Sequence, residues 1–442
     1  MTFRYIDLFA GIGGFHAALE GFGGQCVFVS EIDADARRVY ERNWGASVTR
    51  RAGRPVIEGD IIPLTDPSVD HVPEHDLLVA GFPCQPFSKS GQQLGINETR
   101  GTLFFNIAKI LDAHRPKVVM LENVRNLAGP RHRETWATII RTLRNLGYAV
   151  SDQPSVFSPH FLPPEMGGTP QVRERVFILG TYVGKKEAWR ASSIAPTVKR
   201  GPVAGWSPRD WDLDRDLLLD ELDVPARGSH VLTPDEVAWI DIWNDFVISM
   251  LDVRDGVPLP GFPLWADHFE ESPSVPRGTP AWKANFLRRN AEFYVAHRDA
   301  IDQWMLRHNF LDGVPASRRK LEWQARDAAT LWDCAMQMRP SGIRAKKPDY
   351  LPALVALTQT SIIGPRRRRL TVGEAMRLQG LPDSYSFGQQ PDSLSFKQLG
   401  NGVAVGAVQH VLRMHLEQDA VAAEALGYTS VVAGTAESAL SA

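Results

Sequence analysis

Apolar runs of about five residues recur through the first 183 positions, each ending in a polar or glycine-rich break. Such runs occupy 5–9, 26–30, 76–80, 118–122 and 175–180. Between the first two, Phe15, Ala18 and Leu19 share a helical face, and a second helix is expected over 34–43. Continuously apolar strands separated by helical stretches imply an α/β domain whose mostly parallel sheet is covered on both faces.

From 184 to 360 the texture changes to many Trp and Pro, clustered acids and few alternating strands. Thr233-Pro234-Asp235-Glu236 reads as a capping box with proline at the first helical position. Thr279-Pro280 opens a long amphipathic stretch through Trp282, Phe286, Leu287, Phe293, Ile301 and Trp304. Their helical spacing assigns these aromatics to a core rather than to a base-stacking platform. The α/β texture then resumes. Thr371-Val372-Gly373-Glu374 is another capping box, its helix stops at Gly380 before Pro382, and Asn401 is expected at the start of an apolar helix through Val405, Val408, Val411 and Leu412. The expected organisation is a first domain over 1–183, a smaller domain inserted at 184–360, a return segment at 361–417 and a flexible tail at 418–442.

Composition narrows the class. No apolar run reaches membrane-spanning length, and the N-terminus lacks a signal-peptide pattern. Three cysteines, at 26, 84 and 334, form neither a disulfide framework nor a metal-ligand spacing, so a reducing cytoplasm and no metal are expected. The net charge of −2 gives no hint of a polyanionic partner, but its distribution does. Arg339, Arg344, Lys346, Lys347 and Arg366 to Arg369 form a basic stretch; Asp210, Asp212, Asp214, Asp216, Asp220, Glu221 and Asp223 form an acidic one. The acidic stretch reads as solvated surface, while for Arg366 to Arg369 surface and phosphate contact are equally supported.

The polar breaks hold the candidate chemistry. Gly81-Phe82-Pro83-Cys84-Gln85-Pro86-Phe87-Ser88 follows an apolar strand and brackets a thiol with prolines, which restrict its backbone. A lone cysteine is usually a small buried hydrophobe, but this polar setting argues for a reactive one. Asp7-Leu8-Phe9-Ala10-Gly11-Ile12-Gly13-Gly14 is a glycine-rich turn where backbone can approach a ligand. It lacks the G-x-G-x-x-G spacing and by itself suits NAD, FAD or S-adenosylmethionine. Glu31 ends the second strand where a ribose-binding carboxylate belongs, and Asp60 is placed to reach an adenine amino group. Glu122-Asn123-Val124, Gln171-Val172-Arg173-Glu174-Arg175 and Leu399-Gly400-Asn401-Gly402-Val403 supply further polar clusters at strand ends.

Taken together and in this order, these motifs resemble those of the DNA (cytosine-5) methyltransferases, over roughly 3–183 and 364–415. Gly402 departs mildly from the family, which more often has Ser or Ala there. The resemblance implies a Rossmann-like S-adenosylmethionine-dependent methyltransferase domain with an inserted target-recognition domain. It implies Cys84 as nucleophile toward cytosine C6, Glu122 at ring N3, and Arg173 and Arg175 at the base carbonyl or flanking backbone. Phe9, Gly11, Gly13, Gly14, Glu31, Asp60 and Asn401 would bind the cofactor. The implied partner is double-stranded DNA with its target base flipped out, acted on by a monomer. A restriction–modification role, with a cognate restriction endonuclease at the same site, goes with that reading. Arg344 is a candidate for base readout, and an RNA cytosine-5 methyltransferase is the alternative.

Overall fold

A computed structural model of the protein describes residues 2–66, 71–83, 103–190, 194–356 and 360–429. The chain forms two units, Met1–Pro208 with Met376–Ala442, and Arg209–Ala375. In the first unit the elements are β1 (Arg4–Leu8), α1 (Gly14–Glu20), β2 (Gln25–Ser30), α2 (Ala34–Trp44), β3 (Ile57–Glu58), β4 (Leu77–Gly81), α3 (Leu103–His114), β5 (Val118–Val124), α4 (Arg133–Asn145), β6 (Tyr148–Val150), β7 (Ser155–Phe157) and β8 (Arg175–Tyr182). The return segment adds α5 (Asp392–Asn401) and α6 (Val405–Gln418).

The sheet runs β3-β2-β1-β4-β5-β8-β6, with β7 beside β8. Pairings among β3, β2, β1, β4 and β5 are parallel, as the apolar runs predict. Strand β8 is antiparallel to β5, and β6 and β7 are antiparallel to β8. An apolar run reports burial and not direction, so this reversal leaves no trace in the sequence. Ile6, Leu8, Leu78, Ala80, Val119 and Leu121 line up in one core layer with helical Phe104, Ile107 and Leu111. No described helix is long and apolar enough to cross a membrane.

Both expected insertion boundaries move. Val203 donates its amide to Phe161 O at 3.0 Å, and Trp189 Nε1 donates to Asn145 Oδ1 at 3.1 Å, which binds 184–208 to the first unit rather than to the insertion. At the other end, strands Ile362–Ile363 and Arg368–Arg369 extend the second unit's sheet, so 361–375 belongs there. The tail also begins later than expected, because Asp419 caps a short helix, Ala420–Ala425, with Ala422 and Leu426 buried. Residues 430–442 lie outside the described part.

The second unit is a six-stranded sheet packed with helices around Trp243, Trp304 and Trp323, all fully buried. Its capping box at Thr233 forms as expected, with both reciprocal hydrogen bonds. The long amphipathic stretch divides into helices Ala281–Ala296 and Arg298–Arg307, and Trp282 in its first turn is 61% exposed instead of buried.

Asp7 is the anomaly of the first core. It sits on β1 opposite Val29 and Val79, fully buried, and neither carboxyl oxygen has a hydrogen-bond partner among the described residues. Burial, reinforced by the Glu31 charge, raises its pKa well above the usual carboxylate range. A raised folded pKa means that Asp7's contribution to stability is complete below the unfolded carboxyl's range. It is lost as pH rises toward the folded value. Asp7→Asn removes that loss, so its denaturation midpoint should gain on the wild type's as pH goes from about 5 to about 8. Parallel midpoints across that range would show that Asp7 does not carry the dependence.

Candidate active site

Parallel strands place all their carboxyl ends at one edge, and the antiparallel β8 brings its first residue to that same edge. Arg175 therefore pairs with Val124, Phe177 with Glu122, and Glu122 with Gly81. A cavity of about 430 Å³ opens at this edge, lined by Phe9, Gly11, Glu31, Asp60, Pro83, Glu122, Arg173, Arg175 and Asn401 among others. Cys84 lies outside the described residues; its covalent neighbour Pro83 is in the lining.

One half of the cavity combines apolar Phe9, Ile32, Ile61 and Leu103 with carboxylates Glu31 and Asp60. Phe9 is held at φ 55°, a left-handed conformation costly for a side chain of this size, and such strain is typical of sites. Glu31 Oε2 accepts the Gly11 amide at 2.8 Å and its Oε1 accepts the Asp33 amide at 2.8 Å. The Gly11 amide is thus committed to an acid. Two carboxylates and an apolar wall fit a cationic nucleoside such as S-adenosylmethionine. Asp60 Oδ1 caps the short helix behind it by accepting from Ile62 N at 3.0 Å.

Gly11, at φ +56°, lines the cavity, and among the described residues beyond its chain neighbours no atom lies within 4 Å of where a Cβ would stand. Gly13 and Gly14, expected at the cofactor, lie outside the lining. A Cβ on Gly13 would meet Trp44 Nε1 at 2.3 Å, and one on Gly14 would meet Val403 Cγ2 at 2.7 Å. They are close-packing glycines. A Cβ on Gly402 would be in ordinary contact, 3.6 Å from Gln398 O, so the family's preferred Ala fits there too. Asn401 lines the cavity from the end of α5 rather than the start of α6, because Gly402 breaks the helix in extended backbone.

The other half holds the acid and the arginines. Glu122 is buried, and Arg175 Nε stands 3.0 Å from its Oε1 as a charge contact without hydrogen-bond alignment. Burial raises the Glu122 pKa, and Arg175 and then Arg173 pull against it without prevailing. Asn123 Nδ2 donates to Phe82 O at 2.7 Å, fixing the exit of β4 that leads toward Cys84. Arg173 is 2% exposed and donates to Gly400 O at 2.9 Å and Gly402 O at 2.6 Å. Burial, then repulsion from Arg175, lowers its pKa to about 9, with Glu122 opposing the shift. Gln171 Nε2 donates to Leu378 O at 2.9 Å, and Gln379 donates to Leu399 O. Two residues of the Gln-x-Arg-x-Arg motif thus clasp the return segment and only Arg175 reaches Glu122. Sequence reasoning missed Leu103 and Gln379; nothing in a leucine or a lone glutamine marks such roles.

In the second unit the charge runs answer each other. Arg366 pairs with Asp214 at 2.7 Å and Glu221 at 3.3 Å, Arg368 with Glu374 at 2.8 Å, and Arg369 with Glu236. Arg367 stands apart, its guanidinium 4.4 Å from the Trp332 ring centroid and its backbone at φ 48°. Arg344 Nη2 forms an ion pair with Glu322 Oε1 at 2.7 Å, so the candidate reader is held by an acid in its own sheet.

The C-5 cytosine-specific DNA methylase family model matches residues 3–205 and 274–417. The type II methyltransferase M.AluI of Cellulosimicrobium cellulans is 44% identical over 94% of this chain and 92% of its own. M.HgiCI of Herpetosiphon aurantiacus is 30% identical over 92% of this chain and 96% of its own. M.HhaI of Haemophilus parahaemolyticus is 43% identical over 40% of this chain and 48% of its own.

The clasp is testable through stability. Arg173→Met should leave two carbonyls unmet beside Glu122 and lower the unfolding free energy by about 2–4 kcal/mol. Arg173→Lys should recover only part, because one ammonium lacks the planar fork. Denaturant midpoints equal to wild type in both variants would remove the clasp from the fold's supports.

Proposed function

Since the chain belongs to the C-5 cytosine-specific DNA methylases, we propose that its cavity holds S-adenosylmethionine beside a cytosine flipped out of double-stranded DNA, with Cys84 as the covalent nucleophile. The observation that carries this reading is the buried Glu122, its pKa raised, at a cavity whose lining also includes Pro83, the neighbour of Cys84. When bound, S-adenosylmethionine supplies an electrophilic methyl for C5. Phe9, Ile32 and Ile61 would flank its base, Glu31 its ribose hydroxyls and Asp60 its amino group.

Cytosine C5 is too weak a nucleophile to react unaided. The Cys84 thiolate adds to C6, forming the S–C bond and pushing the C5–C6 electron pair toward the ring. Glu122 holds a proton at N3, so the ring does not accumulate negative charge as sulfur adds. A carboxyl whose pKa burial raises suits that donation, and Arg175 stands 3.0 Å away as its charge partner. Once C5 is substituted, its proton passes to water, the C5–C6 double bond re-forms, and Cys84 departs. Arg173 acts one step back, holding residues 400–402 against the site.

Residues 209–375 are read as the target-recognition domain, binding DNA while the first unit holds the base. The relatives named as type II methyltransferases support reading the chain as the modification enzyme of a restriction–modification system, and a cognate endonuclease is the partner that this reading proposes. The same reading places it as a monomer in the cytoplasm.

Methylation of plasmid DNA, with an RNA arm run in parallel, tests the substrate. DNA carrying 5-fluorocytosine at the target should trap a covalent complex with wild type and none with Cys84→Ser. Glu122→Gln should lower kcat by about 10²–10⁴ and keep cofactor binding. Wild-type activity should fall as pH rises through the raised Glu122 pKa, because the proton needed at N3 is then lost. Trapping by Cys84→Ser, or methylation of RNA alone, would overturn the assignment.

A further inference from the structure

Two arginines converge on one carboxylate at the cavity's rim. Glu174, 16% exposed, accepts from Arg125 Nη1 at 2.6 Å and from Arg200 Nε on its other oxygen. The two guanidiniums are 52% and 55% exposed, and Glu174's pKa is pulled down by both. Register fixes the location. Val124 and Arg175 are the last pair of β5 and β8, both line the cavity, and Arg125 and Glu174 are the next residues outward.

Two like charges brought to a single carboxylate leave a local excess of one positive charge. Each guanidinium carries five N–H groups and spends one on Glu174, so donors remain for a further anion. A carboxylate that orients both forks leaves their remaining donors prepared for a tetrahedral oxyanion. The sites of flipped nucleotides are flanked by such oxyanions, the backbone phosphates. Arg367, by contrast, is a cation on an aromatic face, 4.4 Å from the Trp332 ring centroid.

We propose that Arg125 and Arg200, positioned by Glu174, form a phosphate clamp on the DNA backbone beside the flipped cytosine. The clamp rests on the reading of the cavity as a cytosine site. It sets affinity and placement rather than sequence choice, since phosphates are alike at every base pair.

The test measures anisotropy of a duplex that the wild-type protein methylates, titrated with full-length protein across a salt series. Each phosphate contact contributes a slope of about −0.9 in log K against log salt. Arg125→Ala with Arg200→Ala should flatten the slope by about two contacts and raise the KM for DNA, leaving kcat at saturating DNA and cofactor affinity near wild type. Arg125→Lys with Arg200→Lys should restore the slope. Glu174→Gln should keep or steepen it, because the carboxylate no longer offsets the arginines. A double alanine variant with the wild-type slope overturns the clamp, as does a flattened slope that lysine fails to restore. Failure of the wild-type protein to methylate any duplex would instead overturn the DNA reading beneath it.

Discussion

The site depends on one buried arginine. Arg173 satisfies the carbonyls of Gly400 and Gly402 with a guanidinium that is almost wholly out of water. Burying a charge is expensive, and here it is tolerated because the carbonyls and the nearby Glu122 compensate it. The arrangement couples two requirements. The return segment, which carries Asn401, meets the sheet edge at Arg173 as well as at Gln171, and Glu122's electrostatic surroundings include the same arginine. Closure of the cavity and the electrostatics of its acid therefore share one support.

Charge in the second unit has a different lesson. Its acidic and basic stretches look in the sequence like a surface with two poles, but Asp214, Glu221, Glu236, Glu322 and Glu374 absorb most of the arginines internally. Exposed pairs of this type are weak, on the order of 0–1 kcal/mol each, and exchange readily for an incoming anion. The Arg368–Glu374 pair is buried and is a structural part of the Thr371 cap.

Much of the site could be read from the chain because parallel strands deliver their ends to one edge. Phe9, Glu31 and Glu122 stand at the ends of apolar runs, Asp60 follows the short strand β3, and each lines the cavity. What could not be read depends on partners far along the sequence or on direction. The reversal of β8 is invisible in an apolar run, although it is what brings Arg175 to Glu122. Gly13 and Gly14 sit in the same motif as Gly11, but Trp44 and Val403 decide what they do. The domain boundaries shifted for a related reason: Val203 and Trp189 bind through hydrogen bonds that composition does not register.

The separation between Arg173 and its acceptors, 227 and 229 residues, sets an order of events during synthesis. When the strands through β8 have left the ribosome, the sheet edge is formed but its buried guanidinium has no carbonyls to meet. The whole of 209–375 must emerge first, and it has its own core in which to fold while the first unit waits. Loop-closure entropy grows only slowly with length, so a pre-folded insertion costs the late closure little more than a short loop would. A nascent chain of this protein would thus hold an Arg173 without these two acceptors until residues 400–402 arrive.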